Sequence, residues 1–212
     1  MSRTARRGVC LVLSAPSGAG KTAIADALLA SEPALRRSVS ATTRAPRPGE
    51  MDGVDYHFRS RVEFDRLVQS GELVEWATVL GRHCYGTPRG PVQDALTAGA
   101  DMIFDIDWQG HQHLRAALPG DVISVFILPP DMATLDARLR KRAGDDPMEI
   151  ARRMSLARDE ISHWREFDHV VVNEEFRQAV ESVRAVLHAA RSAISRQPGL
   201  RQFVQTLAGD PA

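Results

Sequence analysis

Two stretches of this chain carry side chains suited to phosphate. The first is SAPSGAGKT, Ser14 to Thr22. Gly18 and Gly20 let the backbone curl so that its N–H groups converge on an anion. Lys21 then brings a cation to the outer phosphates, and Thr22 offers a hydroxyl to magnesium. The pattern is G-x-x-x-x-G-K-[ST] with Ala15 in the first glycine's place, so the loop is Ala15, Pro16, Ser17, Gly18, Ala19, Gly20, Lys21 and Thr22. The expected ligand is a nucleoside triphosphate with Mg2+. The second stretch is SATTRAPRPGE, Ser40 to Glu50. It has no large apolar side chain and cannot be a core element. Pro46 and Pro48 hold the backbone extended around Arg47. A polyproline-like chain turns once per about three residues. Arg44 and Arg47 are therefore expected on one side, as two guanidinium forks for a phosphate.

These groups need a rigid frame. VCLVLS (Val9 to Ser14) reads as a buried strand, and KTAIADALLASE as the helix after it. DMIFDID (Asp101 to Asp107), DVISVFIL (Asp121 to Leu128) and DHVVVN (Asp168 to Asn173) read as further strands. The last long helix has Phe176, Val180, Val183, Leu187, Ala190 and Ile194 in one stripe, expected to be buried. This βαβα order predicts an α/β fold, a parallel sheet covered on both faces. From about Ser40 to Thr87 the strands are shorter and more polar, as an insertion would be. The predicted division is a core of 1–39 and 88–212 with an insertion at 40–87. The tail after Gln197 is expected to fray.

The 212 residues hold 27 Lys plus Arg against 27 Asp plus Glu, with 43% hydrophobic and 25% charged residues. That balance suits one globular domain and gives no electrostatic case for binding nucleic acid. The apolar run in MSRTARRGVCLVLSAPSG is too short for a signal peptide or membrane span. Cys10 reads as core and Cys84 as a thiol in a polar loop, with no disulfide or zinc spacing. A reducing, cytoplasmic setting follows. His111 and His113, two apart on a helix, face different ways and are not expected to bind metal.

Several motifs together are similar to one family. SAPSGAGKT, SATTRAPRPGE, DYHF, LVEW, YGTPR, DIDWQG, RLRKR and VVVNEE stand in the order seen in guanylate kinases of the bacterial type. The resemblance runs from about Val9 to Ala190. It implies a P-loop core in three layers, a mixed β GMP-binding insertion and a helical lid at about 131–155. The implied reaction transfers the γ-phosphate of ATP to GMP. By resemblance Arg44 and Arg47 hold the GMP phosphate, with hydroxyl help from Tyr56 and Tyr85. Glu75 matches the guanine-reading glutamate, Asp107 a second carboxylate at the base, and Ser40 and Thr87 hydroxyl contacts. The chemistry agrees: guanine presents N1–H and N2–H2 as donors, where adenine presents an acceptor at N1. Asp107 could instead cap the helix starting near Trp108. Asp105, ending a strand near the phosphate loop, is counted with the GMP site and as an outer contact to magnesium. Arg138, Arg142 and Arg153 belong by resemblance to the lid, where they reach the transferring phosphates. Asn173 goes either to adenine or to a turn. The segment GRHCYG, Gly81 to Gly86, departs from the family by one extra residue and a missing tyrosine.

GMP's phosphate is itself the nucleophile and is largely dianionic above about pH 6. No general base is needed, and the acid limb of the rate is expected to belong to the substrate. Two rivals stay open: a peptide-binding domain of scaffold type, and a kinase for phosphorylated sugars. Intact Lys21 and Thr22 speak against the first, Glu75 and Asp107 against the second.

Overall fold

The computed structural model describes residues 6–79, 82–143 and 147–209. In chain order the elements are β1 (Cys10–Ser14), α1 (Lys21–Ser31), β2 (Leu35–Arg37), β3 (Ala41–Thr42), β4 (His57–Phe58), α2 (Arg61–Gln69), β5 (Leu73–Val79), β6 (His83–Pro88) and α3 (Arg89–Thr97). Then follow β7 (Asp101–Asp105), α4 (Trp108–Ala117), β8 (Val122–Leu128), α5 (Met132–Ala143), α6 (Pro147–Ser162), a 3-10 turn (His163–Glu166), β9 (His169–Val172), α7 (Phe176–Ser192), a second such turn (Ile194–Arg196) and α8 (Leu200–Ala208).

Five strands form a parallel sheet in the order β2-β7-β1-β8-β9. β1 lies at its centre and is buried along its whole length. Alternate residues feed two cores. Val9, Leu11 and Leu13 pack with Ile24 and Leu28 of α1 and Val180, Val183 and Leu187 of α7. Cys10 and Val12 pack with Val92 and Leu96 of α3 and Leu114 of α4. Apolar burial on both faces is what an all-parallel sheet requires, and each large side chain contributes about 1.5–3 kcal/mol. The chain turns from one side of β1 to the other between β7 and β8, so a crevice opens beyond the carboxyl ends of β1 and β7.

Four shorter strands form a separate mixed sheet, β4-β3-β6-β5. Phe64 of α2 fills its small core with Ala41, Leu73 and Cys84. A reciprocal capping box between Ser60 and Glu63 starts α2.

Three expectations change. The expected stripe is buried only in its middle: Phe176, the first residue of α7, is 44% exposed, and α7 ends at Ser192, so Ile194 falls in the following 3-10 turn and is 81% exposed. The tail forms α8 rather than fraying. Cys84 is no loop thiol: it is buried in β6, its Sγ 3.4 Å from Thr78 Oγ1. The Gly81 end of GRHCYG lies outside the described residues, and His83 onward is strand. Among the described residues no helix is long and apolar enough to cross a membrane.

Candidate active site

The phosphate loop leaves β1 and tightens where the Ala19 N–H donates to the Pro16 carbonyl, 3.1 Å. Gly20 has φ +102°, and a Cβ there would stand 2.4 Å from Asn173 Nδ2. That amide donates to the Ala19 carbonyl at 2.8 Å. Asn173 is thus buried against the loop and braces it. Lys21 opens α1, its Nζ 2.7 Å from Asp105 Oδ1 and donating to the Ile106 carbonyl at 3.1 Å. Thr22 Oγ1 donates to Asp105 Oδ2 at 3.2 Å. Burial pushes the Asp105 carboxyl up, but the Lys21 charge and the Lys21 and Thr22 hydrogen bonds outweigh it and hold the group below its usual range.

Helices α5 and α6, where the lid is expected, rest on this loop. A Cβ at Gly18 would meet Leu135 and Leu139 of α5 at 3.1 and 3.2 Å. Those leucines pack with Ala157 of α6 in a core of their own. Arg138 faces the cavity from α5, and Arg153 is half-buried on α6. The side chain of Arg142 lies outside the described residues. Glu160, to which the sequence drew no attention, also faces the cavity, and its Oε2 accepts the Ser17 N–H at 3.2 Å. It stands roughly two helical turns after Arg153, so both lie on one face of α6. That spacing was the available signal.

At the other end Glu75 and Thr87 are paired across β5 and β6. A register irregularity between Leu73 and Glu75 lets Val74 enter the main core while Glu75 turns to the cavity. Glu75 is only 5% exposed, and its Oε1 accepts the Thr87 hydroxyl at 2.6 Å. Asp107 is the N-cap of α4, accepting the Gly110 N–H at 2.8 Å, and it also faces the cavity. The two readings of Asp107 are therefore compatible. Gly110 explains the end of DIDWQG: a Cβ there would sit 3.3 Å from Glu75 Oε2 and 3.4 Å from Asp107 Oδ1. Burial, with the Asp107 charge adding to it, pushes the Glu75 carboxyl up to about 7 despite the Thr87 hydrogen bond.

Ser40, Tyr56 and Tyr85 complete this wall, the two rings edge-on at 5.9 Å. Arg44 and Arg47 part company. Arg44 makes a bidentate pair with Glu50 at 2.8 and 2.9 Å and lies over the Tyr56 ring, 5.3 Å from its centroid. Arg47 is exposed, and its backbone N–H donates to Glu50 Oε2 at 2.7 Å. Glu50 folds the segment into a turn, where the prolines alone suggested an extended strip. Neither arginine is among the residues lining the cavity.

One cavity of about 750 Å3 joins both ends, from Ser17, Lys21 and Thr22 to Glu75, Asp107 and Tyr85. That size suits a ligand site. His111 and His113 lie away from it: His111 stacks on Phe167, and His113 Nδ1 meets the Trp76 carbonyl at 2.9 Å. A glycine loop and lysine beyond a central parallel strand, sharing a cavity with a carboxylate pocket, define a P-loop phosphotransferase of nucleotides.

The guanylate kinase family model matches residues 7–190. The guanylate kinase of Gluconobacter oxydans is 62% identical over 96% of this chain and 98% of its own. That of Granulibacter bethesdensis is 56% identical over 96% and 95%. The crystal structure of guanylate kinase from Anaplasma phagocytophilum has a TM-score of 0.79 at 38% identity, covering 97% of each chain. The chain belongs to the guanylate kinase family. Its activity is that family's phosphorylation of GMP to GDP with ATP.

Proposed function

We propose a division of labour along the cavity. ATP lies with its phosphates on Ala15 to Thr22, where converging N–H groups, Lys21 and the α1 N-terminus face them. GMP lies across the second sheet. Glu75 accepts from the guanine N1–H and N2–H2, Thr87 fixes the Glu75 carboxylate, and Asp107 and Ser40 flank the base. Arg44, aimed by Glu50, and Arg47 take the GMP phosphate with Tyr56 and Tyr85 hydroxyls. Residues 40–87 act as the GMP-binding unit and about 131–155 as the lid, whose Arg138, Arg142 and Arg153 offset charge on the transferring group. Closure excludes water, so the phosphate goes to GMP and not to hydrolysis. A cytoplasmic setting suits the two free, buried cysteines. The observation that carries this reading is that one cavity is lined by both the phosphate loop and the buried Glu75, whose carboxylate accepts the Thr87 hydroxyl.

Magnesium fits this site. The Thr22 hydroxyl and Asp105 carboxylate are hard oxygen donors side by side at the loop, and Mg2+ bound with phosphates needs few protein ligands. Among the described residues no cluster of three or more His, Cys, Asp or Glu could hold a metal unaided. When bound, the ion neutralises phosphate charge.

No His or Cys is among the residues lining the cavity, and a dianionic GMP phosphate needs no deprotonation. The acid limb is nevertheless not the substrate's alone. Glu75 must be ionised to accept from guanine, and burial brings its proton to about 7. The GMP kcat/KM profile, at saturating ATP, should therefore show two acid ionisations. Guanosine phosphorothioate, with its lower second pKa, should move one of them. Glu75→Gln should abolish the other. A limb that ignores both changes would mean that another protein group acts as a base.

A further inference from the structure

Glu160 has no part in the roles above, yet its carboxylate touches the phosphate loop. Its Oε2 accepts the Ser17 N–H at 3.2 Å, and the side chain faces the same cavity as Lys21, Thr22 and Arg138. Loop N–H groups of this kind are what a P-loop offers to phosphate oxygens. A carboxylate oxygen on one of them stands where a phosphate oxygen would stand. Two anions cannot share one N–H without strong repulsion. We propose that Glu160 is a displaceable internal competitor for the terminal phosphates of ATP, which couples their arrival to movement of the lid helix α6; the inference rests on the reading that ATP phosphates occupy this loop.

Three observations support it. Glu160 is part of the lid's grip on the loop: α5 presses Leu135 and Leu139 toward Gly18, while α6 reaches Ser17 through the carboxylate. The apolar contact persists whatever the charge, whereas the polar one must break when a phosphate takes Ser17. Arg153 shares the cavity-side face of α6, roughly two turns away. Expelling the carboxylate therefore moves the element that carries a lid arginine. The surroundings also make the carboxylate weakly held. Burial and the charges of Asp107 and Asp159 work against its ionised form, and the Ser17 N–H and Lys21 offset them in part.

The test is ATP affinity without GMP, by calorimetry, for the parent, Glu160→Gln and Glu160→Ala, with circular dichroism to verify the fold. Both variants lose the competing charge. Their dissociation constants for ATP and for inorganic tripolyphosphate should fall about fivefold or more, while that for adenosine stays put. In turnover, KM for ATP should fall and kcat should not rise. A residue that merely held the lid together would weaken binding instead. Unchanged or weaker ATP binding in either folded variant would overturn the inference and leave the reading of the cavity intact. A parent chain that binds neither ATP nor tripolyphosphate would overturn both.

Discussion

The two ends of the cavity handle charge in opposite ways. At the phosphate end Lys21 and Asp105 meet at 2.7 Å with the Thr22 hydroxyl beside them, and the carboxylate is comfortable in its ionised form. At the base end Glu75 is buried with a hydroxyl for a partner and Asp107 nearby, and its ionised form is disfavoured. On the roles proposed above, the difference follows from what each end must receive. A phosphate brings negative charge, so its cation can wait paired with a carboxylate. Guanine brings neutral N–H donors, so its acceptor waits without a counter-charge. On that proposal, stability is given up at the base end for selectivity.

The largest effect should come from the paired end. Lys21→Ala removes a half-buried cation and no core group, so circular dichroism should be unchanged while kcat falls about 10²–10³-fold. Turnover within a few-fold of the parent would break the assignment of the loop to transfer.

Next is the strained end. The Glu75 pKa is raised from 4.5 to about 7 on folding. The folded chain then binds the extra proton between those values, so stability falls as pH rises through that window. Glu75→Gln has no such penalty. In urea unfolding it should match the parent below about pH 4.5 and exceed it by up to about 3 kcal/mol above pH 7. Equal stability at high pH would mean that the carboxylate is not strained.

A smaller effect is expected at Arg44. Arg44→Ala loses a charge-assisted pair worth roughly 1.5–3 kcal/mol, about ten- to hundredfold in GMP affinity. ATP affinity, titrated separately, should hardly change. If ATP suffers and GMP does not, the segment serves the other phosphate.

Much of this was legible because it is local. The SAPSGAGKT loop, the buried β1 run and the βαβα order depend on near neighbours, and periodicity reports them. What was not legible depends on residues far apart. Glu50 redirects Arg44 out of the extended geometry that Pro46 and Pro48 suggested. Asn173 reaches back to Ala19 across the sheet. β2 is a three-residue edge strand, LRR, whose basic residues hide its pairing with β7. Phe176 and Ile194 keep the helical spacing of a buried stripe, but Phe176 is only the first residue of α7 and the helix ends at Ser192, before Ile194. The Ser60–Glu63 capping box, by contrast, follows a local pattern and could have been read from SRVE.

The most direct measurement is ADP release with GMP and with AMP, for the parent and for Glu75→Gln, at saturating ATP. A buried carboxylate that accepts two guanine donors and repels the adenine N1 lone pair should favour GMP by about 10⁴-fold in kcat/KM. The Gln amide can turn to donate to adenine, so that ratio should collapse in the variant, chiefly through loss of GMP use. Equal losses with both nucleotides would contradict it, and would make Glu75 a structural residue of the hairpin and not the reader of the base.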